Sequence, residues 1–234
     1  MMHQNVARFH GTERPWPRLI GLLLLAMLCP SCYSKSGHTY MAPAGPGGVG
    51  VLMSDSFITF PNANWTAPSG SNATATDMFD GVRYWVQMQE TSRPGNVSTT
   101  TTMSFMSEAL TFKVDFRPST ATSADADTGM IQIVDSAAPA TVLAQAVYDA
   151  STGKVTFSIG ATAFPPVSLT VGSFQTLTFT IDAGMAGTWM VGATNEGSAA
   201  FGTHSTKLTL ASTFPSGAAA SPHFDFTNVV VSNP

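Results

Sequence analysis

Apolar and polar residues alternate in short runs along most of this chain, from about residue 55 onward. Gly, Pro, Ser, Asn and Asp separate the runs, and helical periodicity is hard to find. A two-residue period is typical of β-strands with one buried face. The pattern predicts nine strands, at residues 82–90, 110–117, 129–135, 142–149, 154–159, 176–182, 188–193, 207–210 and 224–231. Strands without helices predict an all-β fold, a two-sheet antiparallel β-sandwich.

The alternation also predicts which side chains of each strand face the core. In the strand at 110–117, the inward set is Leu110, Phe112, Val114 and Phe116, and the outward set includes Lys113, Asp115 and Arg117. Gly153 marks a hairpin turn between the strands at 142–149 and 154–159. Burying a Leu, Ile or Phe stabilises by about 1.5–3 kcal/mol, so these inward rows fix the register.

The strand at 82–90 carries an unusual polar row. Its apolar set is Val82, Tyr84, Val86 and Met88, which leaves Arg83, Trp85, Gln87 and Gln89 on the opposite face. An indole ring on a wet sheet surface stacks on a pyranose, while amide and guanidinium groups bind hydroxyls or carboxylates. This row predicts a carbohydrate-binding surface. The alternative is that a loop covers Trp85 and that the polar groups are ordinary surface.

Two further strands contribute candidates if they are neighbours of this one. We expect Arg83, Trp85, Gln87 and Gln132 to contact the glycan, with Lys113 and Tyr148 in secondary roles. A face shared by Arg83, Lys113 and Arg117 would attract an anionic polysaccharide. The alternative is a set of scattered, solvated charges.

The N-terminal segment predicts export. Arg8, Arg14 and Arg18 precede an uncharged, largely apolar run at 19–28, which is half the length that a membrane span needs. The residues around Ser31 and Cys32 resemble a bacterial lipobox, which implies a lipid on Cys32 and an envelope or surface lipoprotein anchored in the membrane. Simple cleavage and secretion is the alternative. We predict a signal peptide at 1–31, a Gly/Pro-rich tether at 32–50 and one domain at 51–234.

Composition narrows the function classes. Of 234 residues, 44% are hydrophobic and 10% charged, which excludes disorder for most of the chain. Ten basic and 14 acidic residues give a net charge of −4, without a dense basic cluster, which argues against nucleic acid as a partner.

The order of elements resembles the concanavalin A-like lectin/glucanase superfamily. The resemblance rests on 57–60 with Trp65, on 80–85, on 129–135, on the hairpin at Gly153 and on the closing strand at 224–231. It implies a jelly roll in which the closing strand pairs near the N-terminal one.

A fainter similarity, at Gln132-Ile133-Val134, is to alginate lyase-type jelly rolls. That family, by resemblance, uses Arg, Gln, usually His, and Tyr, and Arg83 matches the first position of its Arg-x-Glu-x-Arg strand. Trp85 and Gln87 replace the Glu and the second Arg. The paired carboxylates of a glycosidase are absent from the sequence pattern, since Glu90, Glu108 and Glu196 are isolated.

One loop carries a weak metal signal. Asp125 and Asp127 precede Gly129 and predict either part of a Ca²⁺ site or a plain turn, with no other cofactor indicated. The sequence thus favours a non-catalytic, surface-tethered carbohydrate-binding jelly roll. A divergent uronate lyase and a structural or adhesive envelope protein are the alternatives.

Overall fold

The computed structural model describes residues 50–106, 109–119, 126–215 and 222–233. All its regular elements are β-strands: β1 Gly50–Asp55, β2 Ser69–Ser71, β3 Ala73–Phe79, β4 Tyr84–Glu90, β5 Gly95–Thr100, β6 Phe105–Met106, β7 Leu110–Pro118, β8 Thr128–Asp135, β9 Val142–Asp149, β10 Lys154–Ile159, β11 Thr162–Ala163, β12 Val167–Ser168, β13 Gln175–Ile181, β14 Ala186–Val191, β15 Thr194–Ala200, β16 Ser205–Phe214 and β17 His223–Asn233.

Some of the sequence predictions concern residues outside the ranges that the structure describes. The signal peptide at 1–31, Cys32, Asp125 and the tether up to residue 49 lie outside the described residues. Gly50, the last residue of the predicted tether, is the first residue of β1. Within the described ranges, no helix is long and apolar enough to cross a membrane.

The strands form two antiparallel sheets. The front sheet has eight strands in the order β15-β14-β13-β7-β17-β4-β3, and β1 also pairs with β17. The back sheet has nine, in the order β11-β10-β9-β8-β16-β5-β2, with β12 on β10 and β6 on β16. The predicted all-β sandwich is confirmed. The closing strand β17 pairs with the first described strand, β1, as the resemblance implied.

Aromatic side chains from both sheets fill the space between them. Phe116 of the front sheet lies 5.7 Å from Tyr148 of the back sheet, measured between ring centroids, and Trp189 lies 5.4 Å from Phe157. The inward row predicted for β7 is buried throughout. The alternation of that strand therefore places Lys113 and Arg117 on the outer face of the front sheet.

All nine predicted strands occur, with shifted ends. The strand predicted at 82–90 begins at Tyr84, because Val82 and Arg83 belong to the turn after β3. The sequence pattern missed eight described strands: β1, β2, β3, β5, β6, β11, β12 and β15. Thr, Ser, Gly and Ala dominate several of these strands and β3 and β15 are largely exposed, so they lack a continuous apolar row.

Candidate functional site on the front sheet

A polar row crosses the centre of the front sheet on its outer face. Gln87 of β4 lies opposite Asp225 of β17, and Asp225 lies opposite Arg117 of β7. Gln87 Nε2 donates a hydrogen bond to Asp225 Oδ1 at 3.3 Å, and Arg117 Nε donates to Asp225 Oδ2 at 2.8 Å. The Asp225 side chain is fully buried, so it holds both neighbours in fixed positions.

Two aromatic rings pack against the guanidinium group of Arg117. Its Cζ lies 4.7 Å from the Trp85 ring and 4.4 Å from the Phe174 ring, which is cation-π distance. Arg83, in the turn after β3, places its own Cζ 4.8 Å from the same Phe174 ring. Two cations and two rings therefore form one cluster on this face.

Trp85 faces away from the core, on the side that the alternation predicts, together with Gln87. Its side chain is nevertheless only 7% exposed. Phe174, in the segment between β12 and β13, makes an edge contact with it at 6.4 Å, and Arg117 lies over its face. The expected open indole platform is therefore wrong, and the alternative, a loop that covers Trp85, is confirmed.

The covered indole has an unused donor. Within the part of the chain that the structure describes, Trp85 Nε1 is buried and has no hydrogen-bond partner. Phe174 itself is half-buried, so it is the ring of the cluster that solvent reaches more easily. An acceptor that entered beside Phe174 would meet a donor that folding has left unsatisfied.

The carboxylates around the cluster are perturbed in opposite directions. Burial raises the pKa of Asp225, although the charges of His223 and Arg117 oppose this shift. Backbone N–H groups of Arg83 and Val82 lower the pKa of the exposed Asp80, and the charge of Arg117 adds to this effect. His223 Nε2 lies 3.5 Å from Asp225 Oδ2 and the His223 side chain is 32% exposed.

A cleft opens beside Arg117. Its volume is about 230 Å³, and its lining is Arg117, Pro118, Ser119, Gly172 and His223. Arg117 thus contacts the covered Trp85 and also belongs to the lining of this cleft.

The structure separates the remaining predicted residues. Gln132 faces outward as expected, but β8 belongs to the back sheet, where its Nε2 donates to Gln145 Oε1 at 3.2 Å. Its assignment to a common site with Trp85 is therefore wrong, because the chain changes sheets between β7 and β8. Lys113 is exposed on the same face and strand as Arg117, about 13 Å along an extended strand.

Tyr148 is also placed differently from the prediction. Its side chain is 3% exposed and packs against Phe116 and Phe224 in the core. Burial, followed by the charge of Asp149, raises the pKa of Tyr148. Its role on a glycan surface is a wrong prediction, and the inward row of Ala144 and Ala146 in the same strand could have shown this.

Asp127, one of the two acidic residues of the predicted Ca²⁺ loop, forms an ion pair with Arg93. Arg93 Nη2 donates to Asp127 Oδ2 at 2.8 Å, and Arg93 Nε lies 2.6 Å from Glu90 Oε2. All three side chains are at least nine-tenths buried. The structure assigns Asp127 to this ion pair, and among the described residues no group of three His, Cys, Asp or Glu could hold a metal ion.

Sequence reasoning left Asp225, His223 and Phe174 out of the site. Asp225 lies between Phe224 and Phe226 in a predicted strand, so the same alternation places it outward and could have identified it. Phe174 belongs to a connection, and no periodicity indicates where a connection packs.

Comparisons with known proteins identify the fold. The cellulose-induced protein Cip1 matches with a TM-score of 0.59 and 12% identity, over 77% of this chain and 97% of that chain. The Emp47p carbohydrate recognition domain matches with a TM-score of 0.57 and 13% identity, over 77% and 94%. The Bacillus licheniformis β-glucanase matches with a TM-score of 0.55 and 12% identity, over 81% and 100%.

These similarities define a class of architecture. The chain has a concanavalin A-like jelly-roll fold, and an alginate lyase from Corynebacterium sp. shares it at a TM-score of 0.54 and 10% identity, over 76% and 97%. The chain spans 17% of the length of a sialidase that also matches. No protein-family model and no curated protein sequence matches. A fold shared by lectins, hydrolases and lyases leaves the function to the site.

Proposed function

We propose that this protein binds carbohydrate through the outer face of the front sheet, at the cluster of Arg83, Trp85, Gln87, Arg117 and Phe174. The observation that carries the proposal is the packing of two guanidinium groups against the half-buried ring of Phe174. The Cζ atom of Arg83 lies 4.8 Å from the centroid of this ring, and that of Arg117 lies 4.4 Å from it. A pyranose offers an apolar face to a ring and hydroxyls to planar donors at its rim.

The roles within the site differ from those that the sequence predicts. Phe174, rather than Trp85, offers the accessible ring, and Arg83 borders it from an exposed turn. Asp225 holds Arg117 in position by accepting from its Nε at 2.8 Å, and Gln87 donates to the same carboxylate at 3.3 Å. The positively charged groups of Arg83 and Arg117 favour an anionic polysaccharide.

The proposal extends to the place of the protein in the cell. The signal-peptide pattern at 1–31 and the lipobox-like Cys32 support an exported, lipid-anchored protein whose domain binds glycan near the envelope surface. Binding without catalysis is our leading interpretation. The named carbohydrate recognition domain with the same fold is consistent with it.

The test is a glycan array followed by titration with the purified protein. We expect at least one polysaccharide to bind, and Arg83→Gln to weaken that binding without a change in the free energy of unfolding. Lys154→Gln is the matched control, since it removes one exposed charge from the back sheet. No binding to any glycan, or equal loss in both variants, would contradict the proposal.

A uronate lyase is the second candidate, and one observation favours it. Arg117, Gln87 and His223 share the outer face around Asp225, with His223 Nε2 3.5 Å from the carboxylate. Lyase chemistry needs a group to remove the proton beside the uronate carboxylate and another to neutralise that carboxylate. Ultraviolet absorbance of unsaturated products from alginate and pectate decides this, and its absence would dismiss the lyase.

A further inference from the structure

We infer that the cleft beside Arg117 is the subsite for an anionic substituent of the glycan, a carboxylate or a sulfate, held by Arg117 and His223. The inference rests on the proposed function and adds to it the chemical class of the ligand and the place of its charged group. It places the charged group at the cleft end of the cluster, beside the ring of Phe174.

The hydrogen bonds of Arg117 leave its terminal donors available. Its Nε is bound to Asp225 Oδ2 at 2.8 Å, and this is the hydrogen bond that the structure shows for its guanidinium among the described residues. A guanidinium group has five N–H donors in a rigid plane, so both Nη groups can still donate. The Arg117 side chain is 23% exposed, and it lines the cleft.

The position of Arg117 is fixed before any ligand arrives. The buried carboxylate holds its Nε, and the rings of Trp85 and Phe174 contact its plane at 4.7 and 4.4 Å. Binding to a flexible arginine would cost conformational entropy to order its side chain, and this group is ordered already. Arg117 can therefore bind a planar carboxylate through two parallel hydrogen bonds, or donate twice to a sulfate, with little further loss of conformational entropy.

His223 also lines the cleft. It is 32% exposed, and its ring can donate to an anion as imidazole or, more strongly, as imidazolium. The cleft, of about 230 Å³, is smaller than the roughly 300–1,000 Å³ of sites that enclose a whole ligand. It suits one substituent of a longer chain that lies across the sheet.

Charged groups of both signs surround this subsite. The charged and titratable groups that face or neighbour Arg117 are Asp225 and His223 on β17, Asp80 and Arg83 in the turn after β3, and Lys113 and Asp115 on its own strand. Asp225 engages Arg117 through Nε, so the Nη groups are the donors that remain for an anion.

The test compares acidic polysaccharides with neutral counterparts of the same linkage. Pectate and alginate are titrated beside their carboxyl-reduced forms, and dextran sulfate beside dextran, which separates a carboxylate from a sulfate. We expect an acidic form to bind at least about tenfold more tightly than its neutral form, as one charge-assisted pair provides.

Two variants keep the test independent of folding. Arg117→Lys retains the charge beside Asp225 but loses the planar fork, and His223→Gln leaves the Arg117 pair intact. Each should reduce the preference for the acidic form, while Lys154→Gln should keep it. Equal affinity for acidic and neutral forms would overturn the subsite and leave the proposed function standing, whereas no binding to any form would overturn the proposed function as well.

Discussion

Replacement of Arg117 by methionine tests how the outer face of the front sheet is held together. Methionine keeps an unbranched apolar stem between the rings of Trp85 and Phe174, so part of the packing survives. It removes the 2.8 Å hydrogen bond and the opposite charge from Asp225, whose side chain is fully buried. Gln87 and His223 remain as the neighbours of that carboxylate.

The size of the effect follows from burial. Removing one partner of a buried ion pair costs about 3–5 kcal/mol, because the other charge stays uncompensated. Arg117 is 23% exposed, and the remaining neighbours still stabilise the carboxylate, so we expect the lower end. The free energy of unfolding at pH 7 should fall by about 3 kcal/mol.

The pH dependence of this loss has a definite sign. Burial already raises the pKa of Asp225, and without Arg117, which opposes that shift, the pKa rises further. The folded variant therefore binds the proton more tightly than the unfolded chain, in which an Asp pKa is about 3.9. The loss is complete above the folded pKa of Asp225 in the variant and shrinks as pH falls from there to the lower folded pKa of the unsubstituted protein.

Urea unfolding at pH 7 and at pH 5, followed by tryptophan fluorescence, measures both parts. Lys113→Met is the control, because it removes one exposed charge from the same face of the same strand and should change stability by less than about 0.5 kcal/mol. A loss below about 1 kcal/mol at pH 7, or a loss that grows as the pH falls, would refute the buried-pair reasoning.

Three other variants test separate parts of the structure. Phe174→Ala should expose Trp85, which acrylamide quenching of its fluorescence detects, and unchanged quenching would mean that other groups cover the ring. Arg93→Met should lower the free energy of unfolding by about 3–5 kcal/mol, because Asp127 is left buried and unpaired, and a loss under about 1 kcal/mol would contradict this. Gln132→Ala should leave glycan affinity unchanged, since it lies on the other sheet, and a weakened complex would move the ligand there.

Local alternation was enough to predict nine of the seventeen described strands and the side of β7 that faces the core. It placed Phe112 and Phe116 inward and Arg117 outward, because the two-residue period is a property of the strand itself. The same rule, applied to Phe224-Asp225-Phe226, gives the outward position of Asp225. These predictions needed no knowledge of which strands are neighbours.

Which residues share a face depends on non-local pairing. Arg117 and Gln132 both face outward, 15 residues apart in sequence, yet they lie on different sheets. Asp225 and Gln87 are 138 residues apart and form a hydrogen bond. A period within one strand contains no information about such partners. For this reason Gln132 was assigned to the wrong face, and Asp225 was left out of the predicted site.

The covering of Trp85 changes what its row of residues can do. Its ring is 7% exposed because a connection, rather than a strand, packs on it, and Phe174 then offers the accessible aromatic surface. If Phe174 is the stacking ring, Phe174→Ala weakens glycan binding even though it exposes a larger ring. If Phe174 only covers Trp85, the same variant strengthens binding, because the indole and its unpaired Nε1 become accessible. We expect weakening, since Arg83 and Arg117 both pack against Phe174 and lose their support without it.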